Sequence, residues 1–504
     1  MANPTLDLGG GLQTANQLAA FFPGTASAIV AAPTPLLAVQ RALWRVVDSL
    51  WSGTAGMRVA GEAYLPRQPN ELKPNYDRRI ARSTLHNYYK SSIQSAIGKI
   101  FSKDVHVENA SLGLTLILGD VDSQGQNLTQ FAKSIGQDGA NHGLSVILVD
   151  HTRVPQDFTS LAEKLQSGAR PYWVSIPATR ILDARSADFG GSQRLSYFRY
   201  EEDVWEPSSD GFSGSGYRQV RIFRQDPGTP VMFAVYREQH NSGQWVLQDA
   251  GVLTISAIPV VPYYTNRTGF FMGRPPLQDL ADVNVQHWQC LSDYQNSVHV
   301  ATIPFLLTKG LKAQLDDEGN PKEITVDVNA GIVASNPEAS VEWIEVSGAA
   351  LSAARANIDS LCAEMEKLGT TLCSAVPGNV TATEKAVNAA EANTIIKDWA
   401  MSLQDAINGA LAFTAEYLGE PPVLAQVNTE FAAEYADDTT FDGVLKAHEQ
   451  GVIDAETVIA EGKRRNIFDP GADIEPAAET PAMEAGEGEP AAAKYPGTPV
   501  GASK

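Results

Sequence analysis

The sequence predicts a multi-domain α+β chain, and three observations carry that prediction. Between residues 144 and 263, seven short segments rich in Val, Ile, Tyr, Phe and Trp alternate with turn residues, the mark of a mostly antiparallel sheet. Two long helical patterns, at about 275–302 and 348–373, flank a small β-rich insertion at 303–347. A third helical pattern runs over 382–418 without a proline, roughly 55 Å at the usual rise. A helix of that length serves as a beam rather than as the wall of a small pocket.

The elements follow in chain order. Thr34-Pro35 opens an amphipathic helix that Gly53 closes, with Leu36, Val39, Leu43, Val46, Val47 and Leu50 expected on its buried face. A second helical pattern spans about Tyr76 to Phe101. Strand candidates then fall at 144–149, 172–176, 195–200, 217–223, 231–236, 244–247 and 258–263, and Ser208–Gly216 is expected to be a mobile loop. Alternate aromatics at Tyr197–Tyr200 and Tyr217–Phe223 fit a sheet core better than a base-stacking platform.

Pro275 is placed to open the first of the long helices at an N1 position, and Ile303-Pro304 ends it. Its apolar positions are sparse, and it carries Asp279, Asp282 and Asp293 with no Lys or Arg. Within the insertion, 305–307 and 324–328 read as strands, with Asn329-Ala330-Gly331 as a turn. The next helix presents Leu351, Ile358, Leu361, Met365 and Leu368 in a narrow, heptad-like seam, which suggests side-by-side packing with helices of other copies. A short loop follows at 374–381. The longest helix then starts at the capping box Thr381-Ala382-Thr383-Glu384 and stops at Gly419 before Pro421-Pro422. Residues 423–427 return as a strand candidate within 419–440. Two short helices broken at Gly451 fill 441–469, and the Pro-, Gly- and Ala-rich segment 470–504 is expected to be a disordered acidic tail.

This order resembles that of the portal proteins of tailed double-stranded DNA bacteriophages, the ring-forming connectors between head and tail. Their stem, clip, stem, tunnel loop and spine would fall at 275–302, 303–347, 348–373, 374–381 and 382–418, after a wing within 1–274 and before a crown at 441–469. The stretch Gly269–Leu277 is similar to the family's approach to the stem, with Arg274 and Pro275 departing from its pattern. Further echoes are Gly61–Pro66, Tyr76–Arg79 with Asn87, Gly143–Asp150 and Arg170–Trp173, so the resemblance covers about residues 50–465.

The resemblance implies a homo-oligomeric ring of twelve copies at one capsid vertex of the virion, assembled in the host bacterial cytoplasm. Double-stranded DNA would be packaged and ejected through its bore. A terminase motor, then a head-completion or tail adaptor protein, would dock on it, and the major capsid protein would surround it. The tunnel loop would comprise Ala375, Val376, Pro377, Gly378, Asn379 and Val380. Asp279, Asp282 and Asp293 are then candidates to face the channel, and Leu351, Ile358, Leu361, Met365 and Leu368 to line the ring interface. Another virion protein, such as a minor capsid or tail adaptor protein, and a soluble α/β enzyme stay open as alternatives. The first would have no central channel.

Charge fits a conduit. The net charge is −21, the reverse of the basic footprint of a protein that grips nucleic acid. A like-charged wall lets phosphates slide, though only groups within about 8–10 Å act at ordinary salt. Solubility alone accounts for acidic surface equally well.

Enzyme motifs fail. Gly98-Lys99-Ile100 lacks the earlier glycine and the hydroxyl residue of a phosphate-binding loop, and His448-Glu449 lacks the second zinc histidine. Ser213 lacks the final glycine of a nucleophile elbow. His142 with Asp138 and Asp150 reads as structural hydrogen bonding. No catalytic residue, cofactor or metal is expected. Cys290, Cys362 and Cys373 read as buried thiols in a reducing compartment, and no apolar run is long enough to span a bilayer. Residues 18–32 make a poor signal peptide, being broken at Pro23-Gly24.

Overall fold

The computed structural model describes residues 20–152, 168–239, 243–301, 305–309, 338, 340–344, 348–370, 382–431, 439–450 and 453–464. The chain divides into two units, 1–431 and 432–504, and each is described by itself. The first unit opens with a two-residue strand, β1 (Thr25–Ala26), and four helices, α1 (Pro35–Trp51), α2 (Gly53–Ala60), α3 (Lys73–Arg82) and α4 (Tyr88–Ile100). Strand β2 (His106–Val107), α5 (Leu112–Leu118) and α6 (Leu128–His142) follow.

Pro35 stands in the first turn of α1, where its missing N–H costs nothing. The buried face is Leu37, Gln40, Trp44, Val47 and Leu50, while Leu36 and Val39 are exposed. Val47 and Leu50 lie on the buried face as expected, but the face as a whole is rotated by roughly 70°. Polar handles explain the correction: Gln40 Nε2 donates to the Gly273 carbonyl at 2.7 Å and Trp44 Nε1 to that of His142 at 2.9 Å. The single helix expected over 76–101 is two. Asn87 breaks it as the N-cap of α4, its side chain accepting from the Lys90 N–H at 2.9 Å.

Two antiparallel sheets stack in the middle of this unit. The smaller has the order β10 (Val260–Tyr264), β3 (Leu144–His151), β4 (Pro171–Pro177). The larger joins β1 to β9 (Trp245–Leu253), β8 (Val231–Glu238), β7 (Gly214–Arg224), β6 (Gln193–Pro207) and β5 (Ile181–Asp188), in that order. Alternation along β3 sends Ile147 and Val149 into a core shared with the helices, and Leu144, Val146 and Leu148 into a core shared with the larger sheet. The far face of the larger sheet carries Val220, Ile222, Met232 and Tyr236, covered by Phe22 and Val30 of the leading segment. Ser208–Gly216, expected as a mobile loop, is a turn over 208–213 that closes a hairpin, and only its last three residues are ladder: Pro207 pairs with Gly214, and β7 begins there. A small hairpin, β11 (Arg267–Gly269) with β12 (Met272–Gly273), leads out of the sheets.

Helix α7 (Gln278–Ala301) comes next, then strands β13 (Phe305–Lys309) and β14 (Ser340–Ile344), then α8 (Gly348–Thr370) and α9 (Ala382–Leu418). Pro275 precedes α7 rather than opening it, since the first helical residue is Gln278. Strand candidate 324–328 lies outside the described residues, as does 470–504. A β15 (Ala425–Gln426) pairs with β2, so the chain does return after α9, to a two-stranded ladder rather than to either large sheet. The second unit shows α10 (Thr439–Glu449) and α11 (Ala455–Arg464). Gly451 lies outside the described residues.

Helix α9 is the beam of the first unit. Ile396, Trp399, Ala400, Leu403, Ala406, Ile407, Ala410 and Leu411 recur at helical spacing and are buried against β10, β3 and β4 as well as α4 and α6. Trp173 of β4 donates Nε1–H to Thr414 Oγ1 at 2.9 Å, a buried polar contact that sets the helix's position along the sheet. Gly419 ends it at φ +68°: its N–H reaches the Glu416 carbonyl at 3.2 Å, and Glu420 N–H reaches that of Ala415 at 2.9 Å.

Candidate functional site

Helices α7 and α8 pack along each other, and β13 pairs antiparallel with β14 from Phe305↔Ile344 to Lys309↔Ser340. The two helices are thus tied by a β ribbon. Their seam closes on apolar side chains: Leu280, Ala281, Trp288 and Leu291 from α7 are buried, as are Ile358, Leu361 and Met365 from α8. Of the residues expected at a ring interface, Ile358, Leu361 and Met365 are satisfied within the single chain, Leu368 packs partly against the same core, and only Leu351 sits at an open groove with Tyr294 and Arg355. A heptad-like seam has one signature whether the partner helix belongs to the same chain or to another.

Asp279, Asp282, Gln286 and Ser297 are exposed on α7. At 100° per residue they fall within about 60° of one another, a single polar stripe. Asp293 belongs to that stripe by position but is engaged: its Oδ1 meets Arg79 Nη1 at 3.2 Å and Gln68 Nε2 at 2.9 Å. Of the three expected channel carboxylates, Asp279 and Asp282 are the exposed ones, with Asp282 Oδ1 accepting from Gln278 Nε2 at 2.9 Å. The tunnel-loop candidates Ala375 to Val380 lie outside the described residues.

Polar contacts hold α7 to the helices behind it. The Arg79 guanidinium is buried and held bidentately by Glu71, at 2.9 and 2.8 Å, and it also donates to the Pro66 carbonyl at 2.9 Å. That cation holds the Glu71 carboxyl below the usual carboxylate range. Ser83 Oγ donates to Ser292 Oγ of α7 at 2.7 Å. Asn284, fully buried, accepts from Tyr89 N–H at 3.1 Å and donates to the His86 carbonyl at 2.9 Å, serving an unpaired donor in the first turn of α4. Replacing Asn284 with Leu strands the buried Tyr89 N–H, while the His86 carbonyl keeps the Tyr88 N–H at 3.1 Å, and should lower stability by about 1–3 kcal/mol in a denaturant titration. A loss under about 0.5 kcal/mol would contradict this role.

His287 is fully buried in the seam, its Nε2 3.4 Å from Cys362 Sγ and its ring 5.4 Å from that of His86. Burial, then the nearby His86, pushes its pKa down. A base whose folded pKa is depressed favours the unfolded chain on protonation. Its contribution is therefore complete above about pH 6.5 and is lost as pH falls below that, by at most about 1.4 kcal/mol per unit. The melting midpoint should drop more steeply between pH 7.5 and 5.5 for the native chain than for His287→Phe, and equal drops would refute the assignment.

The chain reaches α7 through a tight crossing. Gly143 caps α6 at φ +84°, its N–H donating to Gly139 O at 2.7 Å. A Cβ there would lie 2.2 Å from the Arg274 carbonyl oxygen, and one on Gly273 would lie 2.5 Å from Gly143 backbone. The phrases singled out in the sequence thus converge on the scaffold around α7 and α9, with Asp150 of β3 accepting from Tyr172 at 3.1 Å and Arg170 holding Asp120 at 2.5 Å. His142 meets Asp48 Oδ1 at 2.7 Å and the Asp138 carbonyl at 3.1 Å, whereas Asp150 pairs with Arg221. Asp48 was the partner missed by sequence, since it stands 94 residues away. Its use is structural: it holds α1 to α6. Cys290 and Cys362 are half-buried free thiols, and Cys373 lies outside the described residues. Among the described residues no cluster of three or more His, Cys, Asp or Glu forms a metal site, and no helix is long and apolar enough to cross a membrane.

Residues 276–418, which hold α7, α8 and α9, match a family described as "Domain of unknown function (DUF4055)". No curated protein matches the chain. Among solved structures it is similar to a chain of the "Neck of native GTA particle computed with C12 symmetry", at 11% identity and a TM-score of 0.36 over 72% of this chain and 86% of that one. A chain of the "Neck of empty GTA particle computed with C6 symmetry" gives 11% identity and 0.38, over 74% and 88%. One from the "Virion of native gene transfer agent (GTA) particle" gives 10% and 0.37, over 80% and 98%.

Proposed function

We propose that this chain is a portal protein: copies close into a ring at one capsid vertex of a tailed DNA phage, and double-stranded DNA enters and leaves through the bore. One observation carries the reading. Two helices tied by a β ribbon precede a 37-residue helix, and the first of them exposes Asp279 and Asp282 on one stripe and itself supplies no Lys or Arg. That order of stem, clip, stem and spine is the one the sequence resembles. Facing a duplex, such carboxylates would repel phosphates at short range and leave the DNA free to slide. The β ribbon would be the docking point of the terminase motor and later of the tail adaptor, with the major capsid protein around the ring. The chain then acts as a structural conduit and not as an enzyme. End-on electron-microscope images of the purified protein should show rings with a central hole wide enough for a duplex. Compact particles without a hole would leave a minor capsid or adaptor role in its place.

A further inference from the structure

The β6–β7 hairpin outgrows its sheet. β5 pairs with β6 only between Gln193 and Tyr200, and β8 pairs with β7 only from Gln219 to Arg224. From Asp203↔Arg218 to Pro207↔Gly214 the two strands have only each other, a ribbon of about 16 Å before its tip. Trp205 lies over Gly214 and Gly216 on the opposite strand, where a Cβ on Gly214 would come within 2.5 Å of the indole. That contact gives Trp205 a use within the ribbon. Phe212 at the tip has none, being 99% exposed.

The tip is nevertheless ordered. Asp210 accepts from Phe212 N–H at 3.0 Å, from Ser213 N–H at 2.9 Å and from Ser213 Oγ at 2.5 Å, and Ser208 N–H closes on the Ser213 carbonyl at 2.8 Å. A large apolar side chain held out by a preorganised turn loses little entropy on binding, which suits an anchor for a protein surface. The ribbon around it, 203–218, has three acids and one cation. Asp203 and Glu206 are each met by one arginine, Arg180 and Arg237, and each carboxylate stays about half exposed.

The α2–α3 face has the complementary character. Residues 53–82 carry six cations against three acids in a chain of net charge −21. Arg78 and Arg82 are exposed one turn apart on α3 with no acid partner among the described residues. Arg58 of α2 reaches the Ser83 carbonyl at 3.0 Å, which places a third guanidinium beside them. Two apolar side chains, Val59 at 88% and Leu72 at 68%, are exposed on the same segments.

We propose that the ribbon of one copy docks through Phe212 on the α2–α3 face of the next copy, with Asp203 and Glu206 brought toward Arg58, Arg78 and Arg82. The proposal rests on the ring reading above. Because the two surfaces differ, the contact is head-to-tail, the type that closes into a ring when its rotation permits.

Benzoylphenylalanine placed at position 212 and irradiated in assembled protein tests it, with labelled and unlabelled chains mixed so that links between copies are identified by mass. The expected product joins residue 212 to a peptide within 53–82 of another copy. Its yield should fall at least about tenfold in R78E/R82E, a change confined to exposed side chains. Rings in which position 212 links elsewhere, or in which R78E/R82E leaves the yield unchanged or removes only nucleic acid from the particle, overturn the docking and leave the ring reading standing. A chain that stays monomeric removes the ring reading and the docking with it.

Discussion

Gly143→Ala should leave little folded protein. The substitution asks an L residue to hold φ +84°, a cost of about 1–2 kcal/mol by itself. It also drives a methyl group to 2.2 Å from a backbone oxygen and 2.6 Å from a backbone nitrogen of Arg274, which no rotamer change can relieve. The chain must then pull the approach to α7 away from the end of α6, at a further cost of about 1–3 kcal/mol or more. The sum is a large part of the roughly 5–15 kcal/mol that holds a typical domain together. Gly419→Ala is the control: φ is +68° there, but nothing lies within 4 Å of the added atom. It should cost only about 1 kcal/mol. Soluble yield and denaturant midpoints of the two variants check the contrast, and equal losses would refute the crossing's importance.

Reversing the stripe should convert a conduit into a trap. Asp279→Lys with Asp282→Lys changes each copy by four charges at exposed positions, and a ring multiplies the change around its bore. Native rings should hold no linear duplex, while the variant should hold it with an affinity that falls steeply with salt. With about 6–10 phosphates engaged, the loss between 50 and 200 mM salt should be on the order of 10³–10⁵. Closed circular DNA has no end to thread and should not bind. Equal binding of circles would put the stripe on the outside of the particle, and no binding of either form would remove it from the DNA path.

Much of the scaffold was legible because its signals are local. The run of apolar residues at 144–149 marked a strand, which proves buried on both faces as β3, and Gly419 before Pro421-Pro422 marked the end of α9. The failures share a cause: polar groups whose partners are far along the chain. Gln40 and Trp44 belong to the buried face of α1 because their nitrogens find carbonyls at 273 and 142. Strand β5 is the exception and went unseen for a local reason: after Ile181 and Leu182 its Arg185, Ser186 and Asp188 are exposed polar residues with no apolar alternation, although Asp183 is buried and paired with Arg185 at 2.6 Å. The helix pair was visible in its heptad spacing, but whether that seam lay within or between chains was not. Asp293 looked as open as Asp279 because nothing near it in sequence announces Arg79.

The measurement that bears most directly on the ring is the mass of the purified assembly by native mass spectrometry. A portal reading predicts a discrete particle near twelve times 54.1 kDa, and a neighbouring whole number of copies would keep the channel while changing its symmetry. A chain that remains at 54.1 kDa at high concentration, in buffers that preserve its fold, would contradict the account.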